Sequence, residues 1–224
     1  MHAKVVVGHI RDLALVDRTV GALYDGLISD FLAAASSEQG YWLLRRSTGQ
    51  VMEITCWRDL AALQAASAEH GARRAAFAEQ FGISVGAVIS AEVVGYAEGI
   101  DDECPRWARS SWVCGLTRDH DSLLRSLHPG IAAGQAAAPG FASGYWLADY
   151  NTGNGIGLSL WGERSQMRKR DNRARAVRSQ FEASVECKVE TVEKFRVVAA
   201  ADRGDGVTID LLSEIERSSP VGQR

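Results

Sequence analysis

The sequence predicts an α+β fold built from two similar βαββαβ units in tandem, and a long internal repeat is the main evidence. A Gly-Tyr-Trp-Leu run, a Thr-Gly pair and a single tryptophan all recur at a constant offset of 104 residues. The two sets are Gly40, Tyr41, Trp42, Leu43, Thr48, Gly49 and Trp57, and Gly144, Tyr145, Trp146, Leu147, Thr152, Gly153 and Trp161. This period indicates a duplicated domain, because solenoid repeats span about 20–50 residues.

The first copy shows the alternation of strand and helix signals that the fold requires. Strands are predicted at residues 5–10, 41–46, 51–57 and 88–96, where β-branched and aromatic residues are frequent. Helices are predicted at residues 16–35, from the spacing of Leu23, Leu27 and Phe31, and at residues 58–81, which end before Gly82. The turn-forming residues 47–50 join the two middle strands as a hairpin.

The second copy repeats this order. Its predicted strands are residues 112–116, 144–150, 156–161 and 189–198, and its helices are residues 119–137 and 164–182. The predicted domains are therefore residues 1–99 and 107–200, with a linker at 100–106 and a tail at 201–224. Within the tail, the amphipathic residues 207–215 predict one short helix or a partly mobile segment.

A βαββαβ unit is the ferredoxin-like arrangement, an antiparallel sheet with both helices on one face. The open face of each sheet needs a cover, and two fused units can provide it for each other. We therefore expect the antiparallel sheets to pack as a dimeric α/β-barrel-type pseudo-dimer.

Composition narrows the function classes. The chain carries 25 basic and 28 acidic residues, a net charge of -3, which argues against nucleic acid as the main partner. Its four cysteines show no CxxC spacing and are typical of free thiols in a reducing compartment, so we expect a cytoplasmic protein. We also expect no export signal and no membrane span.

Several of these residues resemble the antibiotic biosynthesis monooxygenase family of the dimeric α/β-barrel superfamily. The resemblance rests on Pro139-Gly140-Phe141 ahead of the second Gly-Tyr-Trp-Leu run, on the hairpins ending in Trp57 and Trp161, and on the helix containing His70. It implies the same fold and one of several functions: oxygenation of aromatic polyketides without cofactor, haem binding or degradation, polyketide cyclisation, or no activity.

The helix after Trp57 has a candidate site on one face. Spacings of three and four place seven residues on one stripe, namely Leu60, Leu63, Ser67, His70, Arg74, Phe77 and Phe81. The polar middle of this stripe is unusual for a core. The corresponding stripe of the second copy has Ala174 where the first has His70, so we expect the working site in the first copy.

We predict His70 and Arg74 as catalytic residues. His70 would act as a general base, and Arg74 would stabilise an enolate or phenolate. Alternatively, His70 would be the axial ligand of a haem with Arg74 near a propionate. A third interpretation makes His70 a core residue that hydrogen-bonds a backbone carbonyl.

Ser67, Glu53, Trp57 and His9 are predicted to contact substrate. Glu53 either lies on a solvated face of its strand or points into the cavity between helix and sheet, where it would pair with Arg74. Trp57 recurs as Trp161, which also favours a packing role, and His9 ends a strand, where histidines are commonly exposed.

Three other patterns are interpreted structurally. His120 and His128 lie eight residues apart on one helix and are poor metal partners, and Pro129 is expected to break that helix. The glycine-rich residues 153–157 form a hairpin turn rather than a phosphate loop. The seven basic residues of the last helix, spread around its circumference, predict a solvated helix.

The leading hypothesis is a small oxidative enzyme that acts on an aromatic or polyketide-like substrate without metal or cofactor. Alternatives are a haem protein, a polyketide cyclase-like protein and a non-catalytic binding protein. The expected partner is a small hydrophobic aromatic ligand, with no nucleic acid and no membrane. The chain would be a pseudo-dimeric monomer or would pair again as a homodimer.

Overall fold

A computed structural model describes residues 1–101, 103–202 and 206–208. The chain divides into two compact units. The first unit contains residues 4–88 and the chain from residue 197, and the second unit contains residues 1–3 and 89–196. Three strands, at residues 2–10, 83–98 and 188–202, cross the boundaries between these units, so the units do not begin at the predicted linker. The predicted boundaries at residues 99 and 107 describe the sequence repeat and stay a prediction.

The first unit contains one antiparallel arrangement of strands with helices between them. Its strands are β1 (His2–Ile10), β2 (Ser37–Arg45), β3 (Gln50–Trp57) and the start of β4 (Ile83–Glu98). β3 lies between β2 and β1, β1 pairs with β4, and β2 also pairs with β8 (Lys188–Asp202). A short strand, β9 (Gly206–Thr208), pairs with the end of β8.

The helices of the first unit lie where the hydrophobic spacing predicts them. A helical segment contains a 3₁₀ turn (Leu13–Leu15), α1 (Val16–Leu23), a π-helical turn (Tyr24–Ile28) and α2 (Ser29–Ala33). Helix α3 (Leu60–Gln80) begins after Asp59, whose side chain accepts a hydrogen bond from the Ala62 amide. It ends before Gly82, whose φ of 61° is the left-handed conformation that favours glycine.

The second unit has the same element order. Strand β5 (Trp107–Cys114) is followed by a 3₁₀ turn (Arg118–His120), α4 (Asp121–Ala136), β6 (Phe141–Asp149), β7 (Asn154–Trp161), α5 (Arg164–Lys169), α6 (Asp171–Val185) and β8. The antiparallel strand order is β4-β6-β7-β5-β8. The α+β class and the ferredoxin-like order are thereby confirmed, whereas the duplication and the pseudo-dimeric packing of the sheets stay predictions.

Two predictions for the second unit are wrong. Pro129 does not break the helix but lies inside α4, which continues to Ala136. The predicted helix at 164–182 is two helices, because the chain turns at Arg170. Of the glycine-rich residues 153–157, only Gly153, with a φ of 73°, lies in the expected hairpin turn, and the other four begin β7. The tail helix predicted at residues 207–215 lies outside the described residues except for its first two, which belong to β9.

Apolar side chains between helices and sheet form the core of each unit. In the first unit Phe31 packs against Trp57 at 78° with the ring centroids 5.4 Å apart. In the second, Phe141 and Trp161 meet at 77° over the same distance. Each tryptophan donates its Nε1 hydrogen to a hydroxyl two residues earlier, Thr55 or Ser159. The repeated tryptophans therefore serve packing.

Candidate functional site

The first unit contains a cavity of about 270 Å³ between α3 and the sheet. Most of its wall is apolar, including Leu23, Leu27, Trp42, Leu44, Phe77 and Val85. The exceptions are Lys4, Thr19, Glu53 and Arg74. A mostly apolar cavity with few polar groups is the usual form of a small-molecule site.

Glu53 and Arg74 form an ion pair at this cavity. The Arg74 Nη2 atom lies 2.8 Å from Glu53 Oε1, and the two side chains are only 14% and 10% exposed. Strand β3 supplies Glu53 beside Trp42 of β2, and α3 supplies Arg74. Of the two sequence alternatives for Glu53, the structure has the one that faces the cavity.

The rest of the Arg74 guanidinium has unused hydrogen-bonding capacity. Its Nε and Nη1 atoms are buried and have no hydrogen-bond partner among the described residues. Burying an unsatisfied donor costs about 1–3 kcal/mol. Because Arg74 lines the cavity, a ligand with an acceptor oxygen would satisfy these donors.

Lys4 is a charged residue of this cavity that the sequence interpretation did not identify. Its Nζ atom lies 3.2 Å from the hydroxyl of Ser67, so the predicted residue Ser67 holds Lys4. Burial lowers the pKa of Lys4, and the nearby positive charge of Arg74 lowers that pKa further, against the opposing effect of Glu53. Lys4 thus has a greater tendency to lose its proton than an exposed lysine.

The pKa of Lys4 gives a test of this arrangement. We expect the pKa measured by NMR at Lys4 Nζ to lie below 10.5. It should rise in Arg74→Met, because that variant removes the neighbouring positive charge, and stay unchanged in the exposed control Arg18→Met. A Lys4 pKa unaffected by Arg74→Met would show that the two cations do not interact.

The same shift has a defined effect on stability. A lysine whose folded pKa is lowered binds fewer protons in the folded than in the unfolded state between the two pKa values. Its contribution to the free energy of unfolding therefore rises with pH through that window, up to the unfolded value of 10.5. Because the side chain is only half-buried, solvent screens part of this effect.

His70 does not line the cavity. Its Nδ1 atom lies 3.7 Å from Asp30 Oδ2 and its Nε2 atom 3.8 Å from Glu69 Oε2. Asp30, a buried residue of α2, also pairs with Arg73. The helical stripe therefore divides, because Ser67 and Arg74 lie toward the sheet whereas His70 lies toward α2.

The two remaining candidates also lie away from the cavity wall. Trp57 is 1% exposed in the core beneath α2 and α3. His9 is exposed at the end of β1, and its carbonyl oxygen accepts a hydrogen bond from Ser84. Leu60, expected on the inward stripe, is 41% exposed. Of the predicted site residues, the structure brings together Glu53, Arg74 and, through Lys4, Ser67.

The sequence did contain a signal for Lys4. Strand alternation places Lys4, Val6, Gly8 and Ile10 on one side of β1, and all four line the cavity. A lysine on the side of a strand that otherwise carries small and apolar residues is therefore a candidate for a partly buried residue of the cavity wall.

The described residues bring no three histidine, cysteine or carboxylate side chains together as a metal site. Over that same part of the chain, no helix combines the length and apolar character needed to cross a membrane. Of the cysteines, Cys56 is fully buried, and burial raises its pKa to about 12. A thiol in this state is a packing residue rather than a nucleophile.

Comparison with known proteins finds relatives by fold. No protein-family model matches the chain, and no curated protein matches it. Among solved structures, an anthrone oxidase-like protein is 18% identical with a TM-score of 0.58, over 91% of this chain and 94% of that one. A proposed monooxygenase from Lactobacillus acidophilus is 7% identical with a TM-score of 0.62, over 93% and 98% of the two chains.

A proposed monooxygenase from Fusobacterium nucleatum is 10% identical with a TM-score of 0.64, over 93% of this chain and 96% of that one. These three neighbours, an anthrone oxidase-like protein and two proposed monooxygenases, match over more than 90% of this chain. The resemblance inferred from the sequence is confirmed for the fold.

Proposed function

We propose that this protein is a small oxidative enzyme, similar to cofactor-independent monooxygenases, that binds a phenolic aromatic substrate in the cavity of the first unit. The observation that carries the proposal is the arrangement of Lys4, Glu53 and Arg74 along an otherwise apolar wall. The apolar part suits an aromatic ring system, and the two cations suit an oxygen that becomes negatively charged. The fold of the neighbours supports the reaction class.

Lys4 is proposed as the base. A lysine with a lowered pKa presents a neutral amine more readily, and Ser67 orients its Nζ atom. The phenolic proton passes to this amine, which leaves an ammonium ion beside the new phenolate. One of the two donors of Arg74 without a partner, Nε or Nη1, binds the phenolate oxygen, while Glu53 holds the guanidinium in place.

The oxidation itself takes place between the substrate and molecular oxygen. The phenolate is the deprotonated enol tautomer of a ketone with an activated ring CH₂ carbon, so negative charge is delocalised onto that carbon, which keeps one hydrogen. This carbon passes electrons to O₂ and bonds one of its oxygen atoms, which becomes the carbonyl oxygen. The other oxygen atom leaves as water with the remaining ring hydrogen and the proton held by Lys4. The substrate loses four electrons and O₂ gains four. The protein contributes deprotonation, charge stabilisation and exclusion of water.

The position of His70 does not favour the haem alternative. An axial ligand would have to face the bound haem, whereas His70 does not line the cavity and lies between two carboxylates. A His70→Ala variant provides the test. If the unmodified protein shows a Soret band on addition of haem and the variant does not, the haem alternative is restored. No specific observation on the described residues favours the cyclase-like or the non-catalytic alternative.

Oxygen uptake with hydroxylated aromatics tests the proposed function. We expect Lys4→Met to lower kcat/KM by roughly 100-fold or more, because it removes the base. The value of kcat/KM should be unchanged in Lys188→Met, at an exposed position, and should fall by less than tenfold in His70→Ala. Chelators should leave the rate unchanged. Equal rates for Lys4→Met and Lys188→Met would reject Lys4 as the base.

A further inference from the structure

The second unit contains cavities of a different chemical character. One of about 100 Å³ and one of about 70 Å³ lie against α4, α6 and the sheet. They adjoin, because both are lined by Arg109, Ile131, Gln135, Ala174 and Val177.

The charged residues that line these cavities are all arginines. Arg109 and Arg178 line the larger cavity, and Arg109, Arg170 and Arg173 line the smaller one. The nearby carboxylate of Asp171 pairs with Arg109 and with Lys194, whose Nζ atom is 2.6 Å away. Among the described residues, no aspartate or glutamate lines either cavity, so the local charge favours an anion.

Three buried polar atoms around the larger cavity have no hydrogen-bond partner among the described residues. They are Arg109 Nε, His128 Nε2 and Gln135 Oε1. Arg109 is 4% exposed. Its Nη2 atom donates hydrogen bonds to the Met167 carbonyl and to Asp171, whereas its Nε atom has no partner among the described residues. Leaving such groups unpaired is costly, so a ligand or water is expected to meet them.

His128 is placed by a glycine and an aromatic ring. A Cβ atom at position 95 would collide with the imidazole, so Gly95 leaves the space that His128 occupies. The imidazole meets Trp146 edge to face, with the ring centroids 4.6 Å apart. Burial lowers the pKa of His128, which favours the neutral imidazole. Together, His128 and Trp146 give the cavity aromatic walls.

We propose that the second unit holds a separate binding site for a small one-ring aromatic carboxylate that carries a hydroxyl group. Arg109 and Arg178 bind the carboxylate, Trp146 and the apolar wall contact the ring, and the hydroxyl bonds Gln135 or His128. The adjoining cavities of about 100 Å³ and about 70 Å³ are together only slightly larger than an engineered cavity of about 150 Å³ that binds benzene, so the ligand is limited to one ring and must extend into both. This site does not depend on the proposed oxidative function of the first unit.

Calorimetric titration of the full chain with 4-hydroxybenzoate tests the proposal. We expect binding in the second unit that is at least tenfold weaker with 4-hydroxybenzamide, which lacks the charge, and weaker also with benzoate, which lacks the hydroxyl. Absence of binding would show that the cavity holds only water. Equal affinity for the charged and uncharged probes would overturn the anion site.

Variants locate the binding event. Arg178→Met should lower the affinity for 4-hydroxybenzoate at least tenfold. Arg175→Met, at an exposed position of the same helix, should leave that affinity unchanged. Arg18→Met, at an exposed residue of the first unit, should also bind 4-hydroxybenzoate normally. If Arg178→Met does not fold, Gln135→Leu should remove the preference for 4-hydroxybenzoate over benzoate. Loss of binding in Arg74→Met but not in these variants would place the ligand in the other unit.

Discussion

Replacing Arg74 with methionine is expected to lower the free energy of unfolding by about 3 kcal/mol. The change leaves the carboxylate of Glu53 without its cation, in a side chain that is only 10% exposed. Removing one partner of a buried ion pair costs more than the pair contributes, because the remaining charge stays desolvated. The free energy of unfolding from urea titration, followed by tryptophan fluorescence, measures the effect.

A double-mutant cycle separates this effect from loss of packing. Glu53→Gln combined with Arg74→Met should be less destabilised than the sum of the single variants, by roughly 0.5–3 kcal/mol. The exposed control Arg18→Met should change stability by no more than about 0.5 kcal/mol. Strict additivity in the cycle would show that Glu53 and Arg74 do not form the ion pair in solution.

Trp57→Ala is expected to destabilise the protein by about 3–5 kcal/mol. The side chain is 1% exposed, packs edge to face against Phe31 and donates a hydrogen bond to Thr55. Truncation leaves a void and an unpaired hydroxyl. Trp161→Ala, in the same environment beside Phe141 and Ser159, should cost a similar amount by the same urea titration.

This prediction decides between the two roles given to Trp57. A packing residue should alter stability with little change in KM, and Trp57→Phe should recover much of the lost stability. If Trp57→Ala folds with normal stability but raises KM, the tryptophan contacts substrate and the description of the core beneath α2 and α3 is wrong.

The sequence predicts most of this fold because its signals are local. The hairpins follow from turn residues between β-rich runs, and Gly82 correctly predicts the end of α3. Boundaries are weaker, since β4 and β8 extend beyond their apolar cores. Pro129 led to a wrong prediction, because α4 continues through this proline. The break at Arg170 was not predicted, because no proline or glycine marks it in the sequence.

The site is only partly predictable, because helical spacing places residues on a face without saying which neighbour that face meets. Ser67, His70 and Arg74 share one stripe, yet the stripe is wide enough to contact both the sheet and α2. His70 lies 3.7 Å from Asp30 of α2, and no local pattern in the sequence links residues 30 and 70. Lys4 was predictable from strand alternation, whereas its contact with Ser67 across 63 residues was not.

We propose that Lys4 and Arg74 stabilise a phenolate in the cavity of the first unit. Absorbance of bound 4-nitrophenol tests this role directly, because the neutral and ionised forms absorb at well-separated wavelengths. Binding is expected to convert the phenol to its ionised form at a pH where the free phenol is largely neutral, and Lys4→Met is expected to abolish this conversion. Binding of the neutral form alone, or an identical spectrum with Lys4→Met, would show that these two cations do not stabilise a phenolate.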